Sequence, residues 1–233
     1  MTTWLDTTKR QLFERRFDML APGGAIRELC GWYRDTAAAR AAAGVPPPEG
    51  AWTVHLGSRG PGLVTLTRWP NLTERQASLG TWLDGEQARA QIWDGARGLI
   101  RDAESWLLID SAAASSLQHT AVSSSGLHEL RLYRVLNGAV TEAATALADH
   151  ELTAAQEEGA RVTGLFEIAI GPERPLIAAI LAWPEGLLPA DTWLALDARA
   201  DTAARRLEER ARHRRRLFGQ VESILLQPLV EGA

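Results

Sequence analysis

His128-Glu129-Leu130-Arg131-Leu132-Tyr133-Arg134-Val135-Leu136-Asn137-Gly138 is the stretch on which the fold turns, because a divergent counterpart of it stands earlier in the chain. Phe13-Glu14-Arg15-Arg16-Phe17 through Gly23 repeats it 115 residues earlier, setting Glu14 against Glu129 and Arg16 against Arg131. Further on, Gly50, Gly57, Pro61, Trp69 and Pro70 match Gly164, Gly171, Pro175, Trp183 and Pro184, while Glu104-Ser105-Trp106-Leu107-Leu108 matches Glu222-Ser223-Ile224-Leu225-Leu226. Three separated blocks at a nearly constant offset indicate an internal repeat, and the small drift is what loop insertions produce. The reading is a first module over 1–110, a Ser- and Ala-rich surface linker over 111–126, and a second module over 127–233.

Each copy reads strand, helix, strand, strand, helical region, strand. Strands are expected near 12–20, 51–57, 62–69 and 105–110, then 127–136, 163–170, 175–182 and 221–227. Helices are expected near 24–43, 72–101, 139–158 and 190–217. Gly23-Gly24 and Asn137-Gly138 break the first strand of each copy, and Pro46-Pro47-Pro48 stops the first helix. This order is ferredoxin-like, and the fold class is α+β: an antiparallel sheet with helices on one face. Two such sheets stacked on their bare faces would form a dimeric α+β barrel within one chain.

Alternation along the strands then sorts side chains into two sets. Phe13, Phe17, Trp52, Leu130, Leu132 and Phe166 form the apolar set, expected to meet the helices, with His128 on the same side. Glu14, Arg16, Asp18, Thr53 and His55, with Glu129, Arg131, Tyr133 and Glu167, form the opposite set, expected to line the interior between the sheets. Unpaired charge is costly there, so these are the site candidates, with pairing between the retained Glu and Arg residues as the structural alternative. His55 is the candidate for proton transfer because imidazole titrates near neutrality, with Asp18 to orient it and Tyr133 to donate a hydrogen bond. Arg16 and Arg131 would hold an anionic or enolate oxygen, while Glu14, Glu129, Thr53 and Glu167 complete a substrate-binding lining.

Composition narrows the classes. The 233 residues carry a net charge of −4, which disfavours nucleic acid as a partner. The arginine run Arg205, Arg206, Arg210, Arg212, Arg214, Arg215 and Arg216 is interleaved with Glu208 and Glu209 at helical spacing and reads as a solvated helix face. The single cysteine, Cys30, makes the fold independent of disulfides and compatible with a cytoplasmic location. No signal-like start and no long apolar run points to export or a membrane. Arginine stands nearly everywhere a basic residue does, Lys9 excepted, which suggests a GC-rich bacterial genome. No nucleotide, zinc or nucleophile-elbow motif is present, and His119, His128, His150 and His213 do not converge with His55 on a metal set. Ser123-Ser124-Ser125 has linker composition. The nine tryptophans fall where core packing explains them, leaving haem as a minority alternative to no cofactor.

Leu127-His128-Glu129-Leu130-Arg131-Leu132-Tyr133-Arg134-Val135-Leu136-Asn137-Gly138, with Gly164-Leu165-Phe166, Trp183 and Glu222-Ser223-Ile224-Leu225-Leu226-Gln227-Pro228, resembles the NIPSNAP family. The first copy departs from it with Asp18 at the place of Tyr133 and Pro22 at that of Asn137. The resemblance implies a dimeric α+β barrel, in a superfamily that includes cofactor-independent monooxygenases, isomerases and haem-dependent enzymes. Two functions follow as expectations. One is a cofactor-independent oxygenase, cyclase or isomerase acting on a partly aromatic or enolisable metabolite of bacterial specialised metabolism. The other is a non-catalytic ligand-binding or interaction module, and in either case the chain would be a monomer or a homodimer.

Overall fold

The structure is a computed structural model that describes residues 10–85, 96, 98–117, 126–171, 174–198, 204–205, 208 and 217–229. Lys9, His119, Ser123 to Ser125, His213 and the arginine run apart from Arg205 lie outside the described residues. The chain divides into two compact units, Met1–Ile109 and Asp110–Ala233.

In the first unit, β1 (Leu12–Leu20), α1 (Ile26–Asp35), α2 (Ala37–Ala42), β2 (Gly50–Leu56), β3 (Gly62–Trp69), α3 (Leu72–Asp84) and β4 (Ile100–Asp110) follow one another. The strands are antiparallel in the order β4-β1-β3-β2, with Phe17 opposite Val64 and Glu104. Asn71 caps α3: its carboxamide oxygen accepts from the Glu74 backbone N–H at 2.9 Å while its amide donates to the Glu74 carboxylate at 2.8 Å. That reciprocal cap fixes where the helix begins, and so where Arg75 stands.

The second unit repeats the plan with β5 (Leu127–Val135), α4 (Val140–Ala146), a π-helical turn (Leu147–Leu152), α5 (Thr153–Glu157), β6 (Arg161–Ile170), β7 (Leu176–Trp183), α6 (Pro189–Ala198) and β8 (Phe218–Pro228). Its strand order is β8-β5-β7-β6. The expected linker begins as a short 3-10 turn, Ala112–Ser116, and Ala114 and Leu117 are buried in the core of this unit. The Ser111 backbone N–H donates to the Leu165 carbonyl at 2.9 Å. The helices over this sheet are rich in alanine, with Ala143, Ala144, Ala148 and Ala155 buried, and such small side chains let the helix axes come close to the strands. The closing strands β4 and β8 start earlier than their alternation suggests, at Ile100 and Phe218.

One repeated detail is steric. A Cβ on Gly50 would lie 2.2 Å from the Trp52 ring, and one on Gly164 2.3 Å from the Phe166 ring. Each glycine therefore makes room for the aromatic ring two residues on, which folds back across it, as aromatic side chains do over strand glycines. That clearance explains why this glycine stands in both copies.

The two sets of strand residues are sorted as expected, but their sides are reversed. Leu12, Trp69 and Leu107 cluster with Leu72 and Leu79 of the helical side, which puts Glu14, Arg16 and Asp18 beneath helices. In the second unit Tyr133 and Val135 pack with the Ala-rich helices. The apolar set, with Phe17, Trp52, Leu130 and Leu132 buried, lies on the face away from the helices, and so does buried His128. That face also holds Arg15, which is buried with its guanidinium carbon 4.1 Å from the centre of the Trp106 ring; it bonds Glu104 at 3.3 Å, and Arg59 pairs with the same carboxylate. Apolarity misassigned the sides because both faces are buried, as in β7, where all eight residues are.

Candidate functional site

The repeat preserves a carboxylate and an indole. Trp69 Nε1–H donates to Glu14 Oε2 at 3.0 Å, and Trp183 Nε1–H donates to Glu129 Oε2 at 3.0 Å. In the first unit the rest of the neutralisation comes from helix α3, where Arg75 donates to Glu14 at 2.9 and 2.5 Å. Arg16, 45% exposed, turns to buried Asp18 at 2.9 Å. Both carboxylates there are occupied by ion pairs.

In the second unit the same positions are wired differently. Glu129, fully buried, accepts from the indole N–H groups of Trp183 and Trp193 at 3.0 and 2.8 Å, from the Ser223 hydroxyl, and from Arg131 at 3.4 Å. Arg131 also donates from Nε to the Tyr133 hydroxyl at 2.9 Å and from its second terminal nitrogen to Glu151 Oε1 at 3.1 Å. Its guanidinium carbon lies 3.8 Å from the centre of the Trp193 ring. The Tyr133 hydroxyl in turn donates to Glu151 Oε1 at 3.0 Å. Burial, reinforced by the Glu151 carboxylate, pushes the Tyr133 phenol well above its usual range, so it stays protonated at neutral pH. Burial works against the Arg131 cation, but Tyr133, Glu151 and Glu129 outweigh it and hold its pKa above the ordinary value.

Glu151 reaches this cluster from the π-helical turn, a geometry in which one extra residue per turn redirects the side chains that follow. Thr153 marks the widened turn by donating to the Ala148 carbonyl at 2.7 Å. The position 115 residues earlier is Thr36, buried, whose hydroxyl is spent on the Trp32 and Tyr33 carbonyls of its own helix at 3.0 and 3.2 Å. The first unit thus lacks the carboxylate that completes the cluster in the second.

Of the sequence candidates, Glu129, Arg131 and Tyr133 come together, and Glu14, Arg16 and Asp18 form separate pairs. Glu167 is half-buried and accepts from Ser111 at 3.2 Å, and Thr53 is half-buried on β2. His55 is exposed at the end of β2 and, among the described residues, makes no hydrogen bond or ion pair with Asp18, which is bonded to Arg16, or with Arg131. Glu151, Trp193 and Ser223 were missed. Ser223 was visible within a repeated block but served only to define the repeat. Nothing in the helical stretch marks Glu151, because a π-helical turn shifts the register that periodicity assumes.

Two surface clefts lie on the second unit among the described residues. One of about 340 Å³ is lined by Leu127, Pro184, Glu185, Leu187, Leu188 and Gln227 with two glycines. The other, about 160 Å³, includes Gly159, Arg161, Trp183 and Glu185. Neither contains His55.

No protein-family model matches the chain, and no curated protein sequence matches it either. Solved structures do. An anthrone oxidase-like protein aligns over 98% of this chain and 94% of its own, with 15% identity and a TM-score of 0.59. A protein described as a monooxygenase, from Lactobacillus acidophilus, covers 94% of both chains at 12% identity and a TM-score of 0.54. The fold is that of the dimeric α+β barrel proteins. A haem-binding protein from Thermus thermophilus shares it over 95% of this chain and 92% of its own, at 15% identity and a TM-score of 0.51. A NIPSNAP-like domain protein from Burkholderia xenovorans aligns over 42% of this chain and 82% of its own, at 16% identity and a TM-score of 0.33, too weak a likeness to carry that family. At these identities the shared property is the fold.

Neither cleft fits a haem, because neither offers a His, Cys, Tyr or Met side chain as axial ligand. Among the described residues no group of three His, Cys, Asp or Glu side chains is placed to hold a metal ion, and no helix is long and apolar enough to cross a membrane.

Proposed function

We propose that the chain is a small-molecule enzyme of oxygenase type, working on a partly aromatic or enolisable metabolite without a tightly bound cofactor, with Glu151 as its base. One observation carries this reading. Glu151 Oε1 is held by both Arg131 and Tyr133, whereas Oε2 has no partner among the described residues and the side chain keeps 21% of its surface exposed. A carboxylate oriented through one oxygen and open at the other is the arrangement of a general base, worth about 10²–10⁴ in rate. Arg131, expected from the sequence to bind substrate, and Tyr133, expected to be catalytic with His55 and Asp18, act here as positioning residues, and His55 and Asp18 have no part.

Glu151 would take a proton from a carbon next to a carbonyl, leaving the electron pair in an enolate. Dioxygen, the co-substrate, forms a bond to that carbon; the resulting peroxide takes the proton back from Glu151. Loss of water then leaves a carbonyl where a CH₂ group stood. Without dioxygen the same abstraction leads to isomerisation or cyclisation. The likeness of the fold to an anthrone oxidase-like protein and to a protein described as a monooxygenase supports the oxygenase form. The single cysteine is compatible with a cytoplasmic enzyme and the arginine bias with a bacterial one, and specialised metabolism is the setting in which such a substrate would arise.

The test is dioxygen uptake with anthrone and related enolisable aromatic ketones. The wild type should exceed the buffer rate, and Glu151→Gln should fall to that rate with an unchanged melting temperature. Full uptake by the variant would defeat the assignment. A non-catalytic module of NIPSNAP type is the second reading, favoured by how completely the other charges pair among themselves, and a wild-type rate no higher than that of buffer would favour it.

A further inference from the structure

Building on the proposed site, we propose that it admits a neutral, partly aromatic acid, such as a phenol or an enolisable ketone, and rejects carboxylates, phosphates and other anions. The charge around Glu151 decides this. Among the described residues Glu129 and Glu151 pair with one guanidinium, that of Arg131, so these side chains together carry one negative charge in excess. Arg131 is already committed to the cluster through every nitrogen, Nε to Tyr133, one terminal nitrogen to Glu129 and the other to Glu151, which uses three of its five N–H donors, and Trp193 covers one face. The Tyr133 hydroxyl is likewise spent, accepting from Arg131 and donating to Glu151. The Arg131 side chain keeps only 13% of its surface, so water screens this charge poorly. What the cluster leaves partly exposed is the second oxygen of Glu151, which has no partner among the described residues, and the half-buried indole of Trp193, an acceptor and an apolar ring.

Proton transfer changes the balance at the right moment. A neutral substrate becomes an anion only as Glu151 becomes neutral, so the enolate forms beside an arginine that now faces one carboxylate rather than two. A ligand that arrives already charged meets both.

Isothermal titration calorimetry at pH 7 with 2-naphthol and 2-naphthoate tests the inference, since the two probes share a ring system and differ in charge. The wild type should bind 2-naphthol at least tenfold more tightly. Glu151→Gln should tighten 2-naphthoate about tenfold and weaken 2-naphthol, because Oε1 keeps its two donors and the amide NH2 that takes the open position cannot accept from a phenol. Asp149→Asn, which removes an exposed charge from the same turn but outside the cluster, should alter neither. Binding of 2-naphthol no tighter than that of 2-naphthoate in the wild type, failure of both to bind included, overturns the inference. A Glu151→Gln protein that still discriminates against 2-naphthoate also overturns it. These outcomes are independent of the uptake assay: an enzyme that loses uptake with Glu151→Gln yet binds both probes equally keeps its base and loses only the charge selection.

Discussion

Replacing Glu129 with alanine should be among the most costly single changes in the second unit. The side chain is fully buried and takes hydrogen bonds from two indoles, a hydroxyl and a guanidinium. Ser223 can rotate its hydroxyl towards another acceptor, and Arg131 keeps Glu151 and Tyr133, but the Trp183 and Trp193 N–H groups are fixed by their rings. A buried donor left without an acceptor costs about 1–3 kcal/mol. Two of them, with the small cavity left by the side chain, bring Glu129→Ala to about 3–5 kcal/mol, the range seen when one partner of a buried charged network is removed. Glu129→Gln should be much milder, about 1–2 kcal/mol, because both indoles point at Oε2 and an amide oxygen in that place can accept from both. Urea unfolding followed by far-UV circular dichroism gives each value from its midpoint and slope. A loss below about 1 kcal/mol for alanine, or equal losses for alanine and glutamine, would show that the indole bonds do not hold this unit together.

Two other expectations concern pH and the number of sites. The raised Tyr133 pKa means that the folded protein keeps a phenolic proton which the unfolded chain loses near pH 10, so its stabilising contribution is complete below that pH and is lost as pH rises above it. Tyr133→Phe should therefore flatten the fall in melting temperature between about pH 10 and 11, and a fall as steep as that of the wild type would refute the assignment. Because the first unit has Thr36 and Asp18 where the second has Glu151 and Tyr133, a chain should hold one ligand, and His55→Ala and Asp18→Asn should keep dioxygen uptake within about twofold of the wild type. Calorimetry reporting two sites per chain, or loss of uptake on changing His55, would return the first unit to the site.

Much of the fold was legible in the residues alone. The offset that pairs Glu14 with Glu129 and Trp69 with Trp183 defines two modules, and β1 and β3 run over Leu12–Leu20 and Gly62–Trp69, as alternation and the flanking glycines predict. The retained Glu and Trp prove to be bonded to each other, a pairing that a repeat can flag but not specify.

The side of the sheet on which these residues lie was decided by tertiary structure. Alternation separates a strand into two sets, but it carries no sign, and in a sheet buried on both faces apolarity does not supply one. Helices brought Arg75, Glu151 and Trp193 over the polar set and satisfied it there, leaving the apolar set on the other face. Glu151 depends on tertiary structure most of all. A glutamate in a helical segment reads as a solvated side chain until a widened turn aims it at partners 18 and 20 residues earlier, and contacts of that kind depend on where the backbone runs in space rather than on local pattern.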